Sequence, residues 1–229
     1  MIHRNITGRI KAALSDSPVV LLNGARQSGK STRVKKIASD MHPARYLTLD
    51  DAGVLAAAKH DPAEFIAGLD GNIVIDEVQR APELFLAIKA EVDRNRKPGR
   101  FLLTGSANVM LLPKLSESLA GRMEILTLWP LSQGEIEGVR EGFIDAVFGD
   151  KLPSFSRTTE DRTQTIKRIL LGGYPEVIGR ATLSRRKAWF GSYITTILQR
   201  DVRDLAHIEG LTILPRVLSL IADRAASLL

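Results

Sequence analysis

The 229-residue chain contains no cysteine. Disulfides and thiolate-built metal sites are excluded, and a reducing, cytoplasmic setting is compatible with that absence. Histidine is scarce. His3, His42, His60 and His207 are scattered without ligand spacing and read as surface residues. No apolar run is long enough to span a bilayer, and Met1-Ile2-His3-Arg4-Asn5 lacks the apolar core of a secretion signal, so no membrane role is expected. Internal repeats and low-complexity tracts are absent. What is present is a hydrophobic content of 44%, enough for a sizeable core, and a net charge of +6. That charge permits nucleic-acid contact without establishing it. One basic cluster, Arg94-Asn95-Arg96-Lys97, ends a predicted helix before Pro98-Gly99, where cations suit the helix dipole. The other is Arg185-Arg186-Lys187.

The most informative stretch is Gly24-Ala25-Arg26-Gln27-Ser28-Gly29-Lys30-Ser31, which fits G-x-x-x-x-G-K-[ST]. Its context agrees on both sides. Pro18 to Leu22 is a short β-branched apolar run that reads as a buried strand, and Thr32 to Asp40 reads as a helix. Glycines let the backbone wrap phosphate oxygens, and a helix N-terminus offers unpaired N–H groups to the anion. In this pattern Lys30 would reach the β- and γ-phosphates and the Ser31 hydroxyl would ligate Mg²⁺. The whole loop through Thr32 is the candidate nucleotide cradle, with Arg26 either holding phosphate or facing solvent.

A second motif, Asn72-Ile73-Val74-Ile75-Asp76-Glu77, is an apolar strand ending in two acids. Carboxylates at the C-terminal edge of a parallel strand lie where open α/β sheets bind ligands. Asp76 would hold the metal's hydration shell, and Glu77 would polarise an attacking water. A third strand, Phe101 to Thr104, leads into Gly105-Ser106-Ala107-Asn108. A hydroxyl here would lie between the first two motifs. Ser106 is the first candidate and Thr104 the second, against the alternative that both simply cap a turn.

Strands are further expected at Arg45–Leu49 and Met123–Leu128. Helices are expected at Ile6–Leu14, Ala52–Lys59, Ala63–Leu69 and Pro82–Arg96, the last with Phe85, Ile88 and Val92 on one face. Strands alternating with helices imply an α/β fold: a parallel five-stranded sheet with helices on both faces. After Trp129-Pro130 the pattern becomes all-α. Ser132 and Glu135 have capping-box spacing. Lys151–Thr159 reads as a loop, Glu160–Leu171 as a helix and Gly172-Gly173-Tyr174-Pro175 as a turn. Ser184–Leu205 reads as a long amphipathic helix with Phe190, Ile194, Ile197 and Leu205 on one face, and a last helix runs from Ile213 to Leu229. The division expected is a nucleotide-binding core over 1–131 and a helical region over 132–229.

With these motifs placed, nearly the whole chain resembles a bacterial and archaeal family of AAA+-type P-loop ATPases that carry the C-terminal domain of unknown function 4143. The segments that carry the resemblance are Gly24 to Thr32, Ile75-Asp76-Glu77-Val78-Gln79-Arg80-Ala81-Pro82-Glu83-Leu84-Phe85 and Phe101 to Ala107. Ser118-Leu119-Ala120-Gly121-Arg122, Pro130 to Glu135 and Gly172 to Glu176 add to it. The resemblance implies ATP and Mg²⁺ as ligands and a homo-oligomer as the working form. It implies that Arg122, just before the last core strand, serves as an arginine finger reaching a neighbour's γ-phosphate. The alternative is an ion pair within its own subunit. A second nucleotide-sensing arginine, Arg200 among the candidates, is not located by the sequence. Members of the family are longer than this chain. The segment from Thr212 resembles the start of a further helical, winged-helix-like region, so 132–229 is expected to be incomplete.

Two functions follow. One is an ATPase in which Lys30, Ser31, Asp76, Glu77, Ser106 and Arg122 bind and hydrolyse ATP to drive a partner or an appended domain. The other is a slow nucleotide-dependent switch, with nucleic acid or protein as its partner. A small-molecule kinase is disfavoured, because Glu77 has no role in one.

Overall fold

The computed structural model describes residues 2–106, 119–149, 161–198 and 213–224. Its chain divides into two units, Met1–Ile178 and Gly179–Leu229. The expected division at 131 falls inside the first.

In the first unit the elements run α1 (Thr7–Asp16), β1 (Val19–Asn23), α2 (Lys30–Asp40), β2 (Arg45–Thr48), α3 (Ala52–His60), α4 (Pro62–Ala67), β3 (Ile73–Asp76), α5 (Leu84–Arg94), β4 (Phe101–Thr104) and β5 (Met123–Thr127). The short helices α6 (Gln133–Glu137), α7 (Phe143–Val147), α8 (Arg162–Leu171) and α9 (Pro175–Ile178) follow. The strands form one parallel sheet in the order β2-β3-β4-β1-β5, with β1 near its centre.

Alternation along each strand sorts the core into two layers. Val19, Leu21, Ile73, Ile75, Phe101 and Leu103 face one side, where Ala58 and Ile66 of α3 and α4 and Leu84, Phe85, Ile88 and Val92 of α5 cover them. Val20, Leu22, Val74 and Leu102 face the other, under Ile10, Ala13 and Leu14 of α1 and Val34, Ile37 and Ala38 of α2. Continuous apolar strands are the mark of a sheet buried on both faces, and β1, β3 and β4 are buried at every position.

Local signals set the helix starts. Asp51 accepts from the Val54 N–H, and Asp61 accepts from the Glu64 N–H ahead of Pro62. The expected capping box is present: Ser132 Oγ accepts from Glu135 N at 3.1 Å, and Ser132 N donates to Glu135 Oε2 at 3.3 Å. The helix expected from Pro82 begins at Leu84, and a 3₁₀ turn at Val78–Arg80 precedes it. Helices α7 and α9 are additions to the sequence reading.

The second unit contains α10 (Leu183–Thr196), started by Thr182, and α11 (Leu214–Asp223). On α10, Trp189 and Tyr193 stack with ring centroids 4.9 Å apart. Both units are all-α beyond β5 among the described residues. Arg200, Leu205, the Lys151–Thr159 loop, Ala107, Asn108 and Ser118 lie outside the described residues.

Candidate functional site

The β1–α2 connection has the backbone that its glycines predict. Gly24 lies at φ +150° and Gly29 at φ +96°, both in the region that favours glycine. A Cβ on Gly24 would sit 2.3 Å from the Leu128 carbonyl oxygen. Gln27 is also left-handed, at φ 62°. Helix α2 opens at Gly29 without a side-chain cap, which leaves its first N–H groups to a ligand. Lys30 is only 5% exposed, and its ammonium donates to the Gly24 and Ala25 carbonyls, each at 2.9 Å. That places the lysine Nζ across the loop. Ala25, Arg26 and Ser31 are half-buried, Ser28 is buried and Gln27 and Thr32 are exposed.

Asp76 ends β3 on the same sheet face as Val74, the face that α2 covers. It is 3% exposed, and two hydroxyls hold it. Tyr46 Oη of β2 donates to Oδ2 at 2.6 Å, and the Thr104 hydroxyl of β4 donates to Oδ1. Burial, then the neighbouring Asp76 carboxylate, pushes the Tyr46 hydroxyl well above its ordinary pKa, so it stays a donor. Thr104 Oγ1 also accepts from the Glu77 N–H at 3.1 Å. Of the two hydroxyl candidates, Thr104 is the one that bonds Asp76 and Glu77. Ser106 is buried but lies beyond the last residue of β4. Glu77 adopts the left-handed conformation at φ 62°, which is uncommon for a non-glycine residue. Its carboxylate accepts a hydrogen bond from Gln79 Nε2.

Arg122 stands apart from this cluster. It precedes β5, whose Met123 pairs with Val19 at the N-terminal edge of β1, whereas the loop leaves the C-terminal edge after Asn23. Five residues of strand put the two edges about 16 Å apart. In its own chain Arg122 grips Asp93 of α5 with two bonds, Nε–Oδ1 at 2.6 Å and Nη2–Oδ2 at 3.1 Å. The Arg122 guanidinium holds the Asp93 carboxyl below its usual range. Arg122 is therefore not part of the phosphate site of its own chain.

Three contacts had no signal in the sequence. They are the Tyr46 hydroxyl on Asp76, the Thr104 hydroxyl on Asp76, and Arg4 of the N-terminal segment, which donates to the Ser28 carbonyl at 2.9 Å. Beside the loop, Ile2, Arg4, Gly29, Thr32, Arg33, Leu131 and Pro175 line a cleft of about 200 Å³. Among the described residues, no three His, Cys, Asp or Glu side chains gather to hold a metal, and no helix is long and apolar enough to cross a membrane.

A glycine loop between an inner parallel strand and its helix, with the buried Asp76 two strands away at the same sheet edge, defines a P-loop nucleotide-binding fold. Residues 16–137, just over half the chain, match the model of the AAA domain, and the chain belongs to that family. Residues 162–229 match a domain of unknown function, DUF8612, and not the domain 4143 expected from the resemblance. Uncharacterized protein Mb2031c of Mycobacterium bovis and uncharacterized protein Rv2008c of Mycobacterium tuberculosis are each 34% identical over 203 residues. That alignment covers 88% of this chain and 40% of each relative, so the chain spans less than half their length. The Walker-type ATPase PABY2304 of Pyrococcus abyssi superposes with a TM-score of 0.51 at 14% identity, over 90% of this chain and 75% of that one, a likeness of fold.

Proposed function

We propose that the chain binds ATP with Mg²⁺ at the β1–α2 loop and hydrolyses it. The observation that carries this reading is that Lys30 spans the loop at the start of α2 while Asp76 lies buried at a strand end on the sheet face that α2 covers. The donor set fits the ligands: uncapped amides and an ammonium for phosphate oxygens, a hydroxyl and a carboxylate for a hard cation. Ser31 and Asp76 would hold Mg²⁺, which supplies charge neutralisation on the β- and γ-phosphates. The loop amides from Gly24 to Thr32 cradle the phosphates, and Lys30 exchanges its carbonyl partners for phosphate oxygens. The largely apolar wall of Ile2, Leu131 and Pro175 next to Gly29 seats the base. Tyr46 and Thr104 keep Asp76 in place, Thr104 fixes the Glu77 backbone, and Glu77 accepts the proton of the attacking water. Ser106 lines the same strand end.

The hold of Gln79 on the Glu77 carboxylate favours a second reading, a slow switch in which Glu77 must be released before turnover. In either case the output is a conformational change passed to a partner, nucleic acid or protein, or to an appended domain. The setting is a cytoplasmic homo-oligomer without a membrane, and 1–131 forms the functional core with 132–229 as its helical extension.

Two substitutions test the site. Lys30→Ala should abolish ATP binding with the circular dichroism spectrum unchanged; unchanged affinity by titration calorimetry would remove the assignment. Glu77→Gln should keep ATP affinity and slow phosphate release by about tenfold or more, as positioned acid–base groups contribute roughly 10². A wild-type rate in that variant would favour the switch.

A further inference from the structure

The N-terminal segment carries a buried charge that the nucleotide chemistry does not use. Arg4 precedes α1 and is 6% exposed. Its guanidinium joins three stretches of chain. Nη1 donates to the Ser28 carbonyl at 2.9 Å, Nη2 donates to the Trp129 carbonyl, and Nε lies 3.0 Å from Glu135 Oε2. Glu135 is locked in turn: it accepts from Asn5 N at 2.6 Å and from Ser132 N at 3.3 Å, at the start of α6. Burial lowers the Arg4 pKa, and Glu135 opposes part of that shift. A buried ion pair is a poor device for stability alone, since apolar side chains of similar size pack at least as well. What apolar side chains cannot do is orient a carbonyl.

The carbonyl is the informative partner. Ser28 lies inside the phosphate loop, one residue before Gly29. The Ser28–Gly29 peptide is planar and trans, so its C=O and N–H point in opposite directions. A guanidinium holding the Ser28 oxygen therefore turns the Gly29 N–H away from Arg4. Gly29, at φ +96°, is the N-cap of α2, whose first amides face the anion. We propose that Arg4, braced by Glu135, is a positioning residue that aims the Gly29 N–H at the phosphate chain of the bound nucleotide. The proposal rests on the nucleotide reading of the loop. It also ties the loop to α6: a shift of Glu135 loosens Arg4 and, through Ser28, the amide. Planar, forked Arg can meet several acceptors at once, and Lys cannot replace it there.

The test compares ATP with AMP by competition titration, because a loop-amide defect weakens the phosphate-dependent part of binding. Wild type, Lys30→Ala, Arg4→Lys and Glu135→Gln are measured, each with its melting temperature. The expected result is a fall of about tenfold in the ATP/AMP affinity ratio for Arg4→Lys, as fits the loss of a charge-assisted hydrogen bond. Glu135→Gln removes the charge and keeps one acceptor oxygen where the carboxylate has two, and should fall in the same direction by less. A wild-type ratio in these variants, even with lowered melting temperatures, would overturn the proposal and leave Arg4 a structural tie. If Arg4→Lys does not fold, Glu135→Gln decides. If wild type binds ATP no better than Lys30→Ala, the nucleotide reading itself fails and the proposal falls with it. A wild type that differs from Lys30→Ala while the Arg4 and Glu135 variants match it isolates the failure to Arg4.

Discussion

At the scale of single residues, the site is a set of polar groups that the sheet holds in place. Asp76 and Thr104 are neighbours because β3 and β4 pair with Ile75 opposite Leu103, so the next residues, Asp76 and Thr104, come side by side. Both then share the face that α2 covers. Ser106 has the same parity but lies past the strand. Thr104→Val keeps the shape and removes the hydroxyl. It leaves the Asp76 Oδ1 and the Glu77 N–H each without its partner, at a cost of about 1–3 kcal/mol for an unsatisfied buried polar group. The expected outcome is an ATP affinity within about threefold of wild type and a hydrolysis rate lower by about tenfold or more, because Glu77 loses its backbone anchor. Steady-state phosphate release beside a nucleotide titration checks both. A Thr104→Val enzyme with full activity would return the role to Ser106.

At the scale of elements, the loop depends on β5 as well as on its own glycines. The Leu128 N–H donates to Asn23 O at 2.8 Å, which draws the end of β5 against the start of the loop. This approach is why Gly24 has no room for a side chain. Gly24→Ala combines a contact at 2.3 Å with a backbone at φ +150°, a strain on the order of 1–3 kcal/mol before any shift of β5. The melting temperature should fall by several degrees and ATP binding should be lost; a variant that binds normally would mean that the loop tolerates a wider turn. The same element shows what a sequence can reveal. The loop, the strand before it and the helix after it are legible because every cue lies within a dozen residues. So are Asp76 and Glu77, and so is the capping box at Ser132 and Glu135. The bond between Thr104 and Asp76 was not legible, since it follows from strand register. Neither was Tyr46 on Asp76, nor Arg4 on Ser28 and Trp129, contacts 30, 24 and 125 residues apart along the chain. These partners have no spacing rule, and a lone Arg near an N-terminus carries no local signal.

At the scale of the whole molecule, the sheet has two edges with different chemistry. The C-terminal edge carries the loop, Asp76 and Glu77; the N-terminal edge carries Arg122, beyond the reach of any side chain to the phosphates of its own chain. Arg122 can act on a nucleotide only if another copy supplies the site, as a finger offered in trans does. Its present partner, Asp93, is an exposed carboxylate, and an exposed pair is weak and readily given up for a phosphoryl group. Arg122→Ala should therefore leave ATP affinity unchanged, since the cradle is intact. It should depress hydrolysis, by less than the several powers of ten known for fingers in GTPases. The decisive measurement is mixing. Lys30→Ala subunits cannot hold ATP but still offer Arg122, and Arg122→Ala subunits hold ATP but offer no finger. Together they should recover activity that neither has alone, and recovery should grow with protein concentration, because it depends on contact between copies. Full activity in Arg122→Ala, or no recovery at any concentration, would assign Arg122 to its pair with Asp93, a brace between α5 and the start of β5.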